Sequence, residues 1–296
     1  MSLFIFGLGY SAMHYVTTRA AHERVTGTVR TAEKAQSVKE AHPNVEALLF
    51  DAPAIDPPIE DRVASATHLL VSIPPEESGD PVLAHFAEAI ACAQHLDPIV
   101  YLSTVGVYGD HQGAWIDETA APEPNSSRNH ARVIAEDAWL AFGARTGKKI
   151  TILRLAGIYG PGRNALVNLR EGKARRIVKP GQVFNRIHVE DIARTIEAAF
   201  APDAPSGIFN VTDDEPAPPQ DVVAYAAELL GMKSPPEIPF ESADLTPMAR
   251  SFYSSNKHVS NRGLKEQLGV SLAYPTYRAG LAALAAEFEP AAHLPR

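Results

Sequence analysis

Leu3-Phe4-Ile5-Phe6-Gly7-Leu8-Gly9-Tyr10-Ser11-Ala12 is the stretch on which the fold turns. Its four apolar residues have the length of a buried strand; two glycines follow, and the chain then enters a helical pattern. The spacing Gly-x-Gly-x-x-Ala is a dinucleotide-binding fingerprint. Gly7 permits the tight turn, Gly9 lets backbone approach a pyrophosphate, and Ala12 lets helix and strand pack closely. The pyrophosphate would sit on the helix N-terminus at Tyr10 and Ser11, where unpaired N–H groups and the helix dipole favour an anion.

Outward from this point, strand and helix patterns alternate. Arg24–Val29, 45–50, 68–73, 99–103 and Ile150–Leu155 read as further strands, and 10–21, 81–95 and 128–144 as helices, with the Pro-rich stretch 52–58 opening a short one. Such alternation specifies an α/β fold with a doubly wound parallel sheet of the Rossmann type. Ligands of such a sheet bind beyond the carboxyl ends of its strands. Further on, 189–200, 219–230, 258–268 and 276–288 read as helices and Gly207–Val211 as a strand. Residues 1–162 are therefore expected to form an NAD(P)-binding domain, completed by about 185–212. Residues 163–296 are expected to form a smaller, mostly helical lobe interleaved with it, leaving a cleft between the two.

Composition narrows the function. The 296 residues carry a net charge of -8, which argues against non-specific binding to nucleic acid or to an anionic membrane surface. No apolar run reaches the roughly 20 residues that span a bilayer, and Leu3–Phe6 reads as a strand, not a signal peptide. Cys92 is the single cysteine, so no internal disulfide forms and a reducing cytoplasm fits. Its Ala-rich helical surroundings predict a buried, structural thiol. The 11 histidines are scattered without metal-ligand spacing.

Several residues are candidates by position alone. Arg30 ends the second strand, where an acidic residue would bind the ribose hydroxyls of NAD; a cation there, with Lys34 one turn on, suits the 2′-phosphate of NADP. Read otherwise, Arg30 is a solvated loop residue. NADP is the expected cofactor, with NAD the alternative. Asp51 ends the third strand, either beside the adenine or as a plain turn-former. Ser72, after the fourth strand, passes under the cofactor.

With these pieces placed, the chain resembles the extended short-chain dehydrogenase/reductases of the NAD(P)-dependent epimerase/dehydratase type. The resemblance rests on Gly7 to Ala12, Ser103-Thr104-Val105-Gly106-Val107-Tyr108-Gly109, Asp117-Glu118, Arg154-Leu155-Ala156-Gly157-Ile158-Tyr159-Gly160-Pro161-Gly162, Ile187-His188-Val189-Glu190-Asp191-Ile192-Ala193 and Gly207-Ile208-Phe209-Asn210-Val211. It implies a hydroxyl residue near the nicotinamide, matched by Thr104 with Ser103 beside it, and a Tyr and a Lys eight and four residues before Glu136. Those two places hold Arg128 and Arg132. A guanidinium cannot shuttle a proton. By the same resemblance Arg132 could hold the ribose, Arg128 an anionic substrate or the nicotinamide phosphate, and Ala156 the cofactor; read otherwise, both arginines are solvated.

Gly157 stands where the family's sugar-nucleotide epimerases carry an Asn, and Phe184 where they carry a diphosphate-binding Arg. Both departures turn the expectation away from a nucleotide-sugar. Gly157, His188 and, on a loose alignment, Arg250 are the further substrate-side candidates. Tyr108, His130, Tyr159, His188 and Tyr253 are the residues that could replace the missing acid. The resemblance implies an oxidoreductase or epimerase/dehydratase on a small, anionic molecule, with a homodimer through the Arg128 helix. A non-catalytic, NAD(P)-sensing or scaffold protein is the alternative.

Overall fold

The computed structural model describes residues 2–51 and 54–287. Ala52 and Pro53 of the Pro-rich stretch, and Phe288 at the end of the last expected helix, lie outside the described residues. The central sheet contains β1 (Ser2–Phe6), β2 (Arg24–Val29), β3 (Val45–Asp51), β4 (Ala54–Ile55), β5 (His68–Val71), β6 (Ile99–Thr104), β7 (Ile150–Leu155) and β8 (Gly207–Val211). Their spatial order is β8-β7-β6-β5-β1-β2-β3-β4, parallel except for the antiparallel β3–β4 edge. The order reverses between β1 and β5, the crevice where ligands of such sheets bind.

Both faces of the sheet are covered, so its strands are apolar throughout. Leu3 and Ile5 face one cluster with Tyr15, Val16, Ile192 and Ile196. Phe4 and Phe6 face the other with Phe50, Phe86 and Trp139. The helix Tyr10–Thr18 presents Ala12, Tyr15 and Val16 inward, and the absence of a side chain at Gly9 starts it without a side-chain cap. It packs against the helix Val189–Ala199, to which His14 and Arg19 both bind through Glu190.

Three small parallel pairs sit outside the sheet: Gly157–Tyr159 with Arg186–His188, Arg176–Val178 with Glu237–Pro239, and Trp115–Ile116 with His258–Val259. The last corrects the expected helix over 258–268. His258 and Val259 pair with Trp115 and Ile116, and the helix is confined to Arg262–Glu266. The expected burial of Cys92 is also corrected, because the last turn of its helix turns the thiol to solvent. A third apolar cluster, around Leu166, Ala226, Tyr277 and Leu281, holds the helices of the C-terminal part together.

Candidate functional site

A groove of about 580 Å³ runs along the carboxyl ends of β1, β2, β3 and β5. Gly7 and Gly9 line it at the strand-to-helix turn, with Thr28, Arg30, Lys34, Asp51 and Ser72 around its rim. Gly7 has φ +97°, and a Cβ there would stand 2.5 Å from Ile73 Cγ2. Gly9 has open space where its Cβ would be, so backbone lies bare at the N-terminus of an uncapped helix. These features fit the pyrophosphate of a dinucleotide. Ser11 and Ala12 are buried behind the turn. The Tyr10 hydroxyl donates to the Pro161 carbonyl at 3.0 Å, under the guanidinium of Arg163.

A second cavity of about 650 Å³ opens beyond β6 and β7. Thr104 lines it at the end of β6, its hydroxyl accepting from the Gly106 amide at 3.0 Å; the O–H is left to donate. Ala156 and Gly157 line it at the end of β7. Arg128 reaches it from the first turn of the helix Ser127–Thr146, with its guanidinium 5.5 Å from the Phe252 ring centroid. Arg163, Arg186 and Lys257 complete a set of four cations, and the lining holds no Asp or Glu. Phe184, Tyr159, Phe252 and Tyr253 supply an aromatic wall.

Four expected site residues stand elsewhere, for physical reasons. Ser103 is buried and donates to Glu136, which pairs with Arg154. Arg132 turns back onto β6 and donates through one nitrogen to Tyr101 Oη at 3.0 Å and the Leu102 carbonyl at 2.9 Å. Buried between Tyr159 and Tyr274, His188 caps the helix Val189–Ala199, its Nδ1 accepting from the Glu190 amide at 3.1 Å. Burial, then the neighbouring His14, pushes His188 down to about 4, so it is neutral. Arg250 lies over Phe240 and donates to the Ala243 carbonyl at 2.8 Å, outside the cleft lining.

The candidates for the missing acid divide in the same way. Tyr108 is buried and donates to Asn210 at 2.8 Å. His130 is exposed and outside the cleft lining. Tyr159 lines the cleft with its ring, but its hydroxyl donates to the Thr276 carbonyl at 3.4 Å, and burial pushes its pKa well up. Tyr253 does line the cleft, stacked against Phe184 and Phe240, and burial raises it too.

Two cleft residues have no signal in the sequence. Arg186 sits in a short strand, donating through one nitrogen to the carbonyls of Phe184 and Ala217 at 2.9 and 3.0 Å; burial pushes its pKa down. Lys257 is 6% exposed, its Nζ donating to the Gly109 carbonyl at 2.7 Å, and burial pushes it down to about 8. Among the described residues no group of His, Cys, Asp and Glu could hold a metal ion, and no helix is long and apolar enough to cross a membrane.

Known proteins similar to this chain share its fold. A structure described as a functionally unknown conserved protein from Silicibacter pomeroyi DSS is 48% identical, covers 96% of this chain and 98% of that one, and superposes with a TM-score of 0.86. Protein YeeZ of Escherichia coli K12 is 30% identical over 244 residues, which are 78% of this chain and 84% of that protein. A 3-diazoavenalumate denitrifying reductase from Streptomyces is 27% identical over 261 residues, 80% of this chain and 82% of the relative. UDP-glucuronic acid 4-epimerase from Bacillus cereus, solved with UDP-glucuronic acid and NAD, shares the fold with a TM-score of 0.75 over 97% of this chain and 98% of that one, at 18% identity. Residues 13–212 match the family directly, from the helix after the glycine turn to the end of β8: the chain belongs to the NAD dependent epimerase/dehydratase family.

Proposed function

We propose that the protein is a nicotinamide-dinucleotide-dependent oxidoreductase acting on a small anionic molecule with a flat, apolar body. One observation carries the reading: the cleft beside the dinucleotide groove is lined by Arg128, Arg163, Arg186 and Lys257 and by no carboxylate, on a chain of net charge -8. Cations gathered in one concavity raise the local concentration of an anion and orient it. The aromatic wall suits a planar body, and the Thr104 hydroxyl is free to donate to an oxygen of the bound molecule. NADP is the dinucleotide this reading favours, with Arg30 and Lys34 at its 2′-phosphate; NAD is the alternative. When bound, it supplies or accepts a hydride at its nicotinamide ring.

Gly157 and Phe184 turn the reading away from nucleotide-sugars, although the solved epimerase takes one. The Streptomyces relative, by contrast, is a reductase. Ile134 and Leu140 on the helix Ser127–Thr146 remain 50% and 36% exposed, which supports a homodimer through that helix. The test is calorimetry with NADPH and NADH on ligand-free protein, then a screen of anionic carbonyl compounds followed by loss of reduced-nicotinamide absorbance. Turnover that Thr104→Ala abolishes supports the reading. Absence of binding by either dinucleotide ends it.

A further inference from the structure

Six side chains lining the cleft can carry or release a proton: Arg128, Arg163, Arg186, Tyr159, Tyr253 and Lys257. The three guanidiniums stay protonated at any working pH. Tyr159 has its hydroxyl engaged with the Thr276 carbonyl, away from the cavity, and both tyrosines are held protonated by burial. No His, Cys, Asp or Glu belongs to the lining. Lys257 is what remains.

Its setting is unusual for a lysine. The side chain is more than nine-tenths buried, and it makes no ion pair among the described residues. One of its three N–H groups is engaged, by the carbonyl of Gly109 at 2.7 Å, in the loop that continues from Thr104. Its backbone is fixed on the other side by Asn185, whose side chain donates to the Lys257 carbonyl at 3.0 Å and accepts from the Val259 amide at 2.9 Å. Asn185 and Gly109 thus fix a buried lysine in the wall of the cavity that Thr104 also lines. Asp110 is the charged group acting on it, and it favours the ammonium; desolvation outweighs that attraction. A buried ammonium without a carboxylate partner is costly to keep, and an amine poised near the working pH is what proton transfer requires.

We propose that Lys257 is the group that exchanges a proton with the bound substrate, the part that the family's tyrosine takes elsewhere. The inference rests on the oxidoreductase reading above. In the reductive direction a substrate carbonyl carbon takes a hydride from the reduced nicotinamide dinucleotide. The carbonyl oxygen forms an O–H bond with a proton from Nζ, whose N–H electron pair stays on nitrogen. Carbonyl, hydride and proton sum to the alcohol, and solvent reprotonates the amine.

Pyridoxal 5′-phosphate, an anionic aldehyde, tests this without a known substrate. It condenses with a neutral amine to an imine and water, and borohydride fixes the adduct for peptide mass spectrometry. On the full chain near neutral pH, the expected result is labelling of Lys257 ahead of the other lysines, with a rate that rises to its half-point near pH 8. Lys257→Met should lose that adduct and retain its melting temperature and NADPH affinity. An unlabelled Lys257, or one labelled only as pH approaches the ordinary lysine value of about 10, overturns the proposal. Failure of NADPH to bind the wild-type protein is a separate result, and it removes the oxidoreductase reading instead.

Discussion

Glu136 and Arg154 face each other at 2.6 Å with 2% and 3% of their side chains exposed, the one on the helix Ser127–Thr146 and the other on β7. Ser103 donates to the same carboxylate, and the Arg154 guanidinium lies 4.7 Å from the Tyr108 ring centroid. Tyr108 in turn donates to the Asn210 side-chain oxygen on β8, and the Asn210 backbone N–H donates to Glu118 at 2.8 Å. Four of the sequence motifs that mark the family therefore meet in one buried polar network behind the cleft, not in it.

Removing one side of that pair leaves a buried charge without its partner. Glu136→Gln and Arg154→Met should each lower unfolding free energy by about 3–5 kcal/mol, read as a reduced midpoint in urea with an unchanged slope. The double replacement, Glu136→Leu with Arg154→Met, should recover much of the loss, because two apolar groups leave no uncompensated charge. A double variant no more stable than either single one would show that the network is needed for more than charge balance.

Gly7 and Gly9 separate folding from binding. At Gly7 the φ of +97° and a Cβ 2.5 Å from Ile73 Cγ2 both oppose a side chain, so Gly7→Ala should destabilise by about 1–3 kcal/mol. At Gly9 φ is -87° and nothing lies within 4 Å, so Gly9→Ala should change stability by less than about 0.5 kcal/mol. That methyl would nonetheless occupy the face offered to a pyrophosphate. NADPH affinity should fall at least ~10-fold, about 1.4 kcal/mol. Thermal unfolding and calorimetry on the same samples test both halves; a Gly9→Ala protein that binds normally would place the pyrophosphate elsewhere.

The contrast between these residues and Lys257 shows what can be read from a sequence. Strand, turn and helix are set by local spacing, and the alternation of apolar residues across both faces of the sheet follows from the chain itself. A contact made by a long side chain does not. Arg128 and Arg132 are one helical turn apart, yet the cleft takes the first while Tyr101 and Leu102 take the second. Lys257 lies in Ser254-Ser255-Asn256-Lys257-His258, a stretch without periodicity, whose course is set by Asn185 and by pairing with Trp115 and Ile116. Those partners are far away in sequence. An Ala-rich stretch does not by itself show which way Cys92 faces; Val82, Phe86 and Ile90 mark the buried side of its helix, and the thiol lies off it.

Arg30 and Lys34 line the groove at the end of β2 without a carboxylate partner among the described residues. A charged hydrogen bond to the 2′-phosphate contributes about 1.5–3 kcal/mol. Arg30→Ala should therefore weaken NADP by about 10- to 150-fold and leave NAD within a factor of two or so. Calorimetric titration of both dinucleotides against wild type and variant measures this directly. Equal losses for the two would assign Arg30 to the shared adenosine half.

Asp213 provides the pH test. Its carboxyl follows β8 and is almost wholly buried; Oδ1 accepts from the Glu215 amide at 3.2 Å, and Oδ2 has no partner. Burial is the largest effect on it and raises it to about 8, against the attraction of Arg186. An unfolded chain would release that proton near pH 4. Because the folded pKa is the higher one, the native state holds the proton that the unfolded chain gives up. The stabilisation is complete below about pH 4 and is lost as pH rises through about 8. The loss approaches ~1.4 kcal/mol for each pH unit in that window. Asn at this position keeps the acceptor for Glu215 and never ionises, although its amide nitrogen would be buried without a partner at a cost of about 1–3 kcal/mol. That cost does not vary with pH. Asp213→Asn should thus begin less stable than wild type in acid and gain on it steadily toward pH 8. Urea unfolding of both proteins across the window reads the difference between them, which cancels every other titrating group. A constant offset would mean that Asp213 ionises in the folded protein as easily as in the unfolded chain.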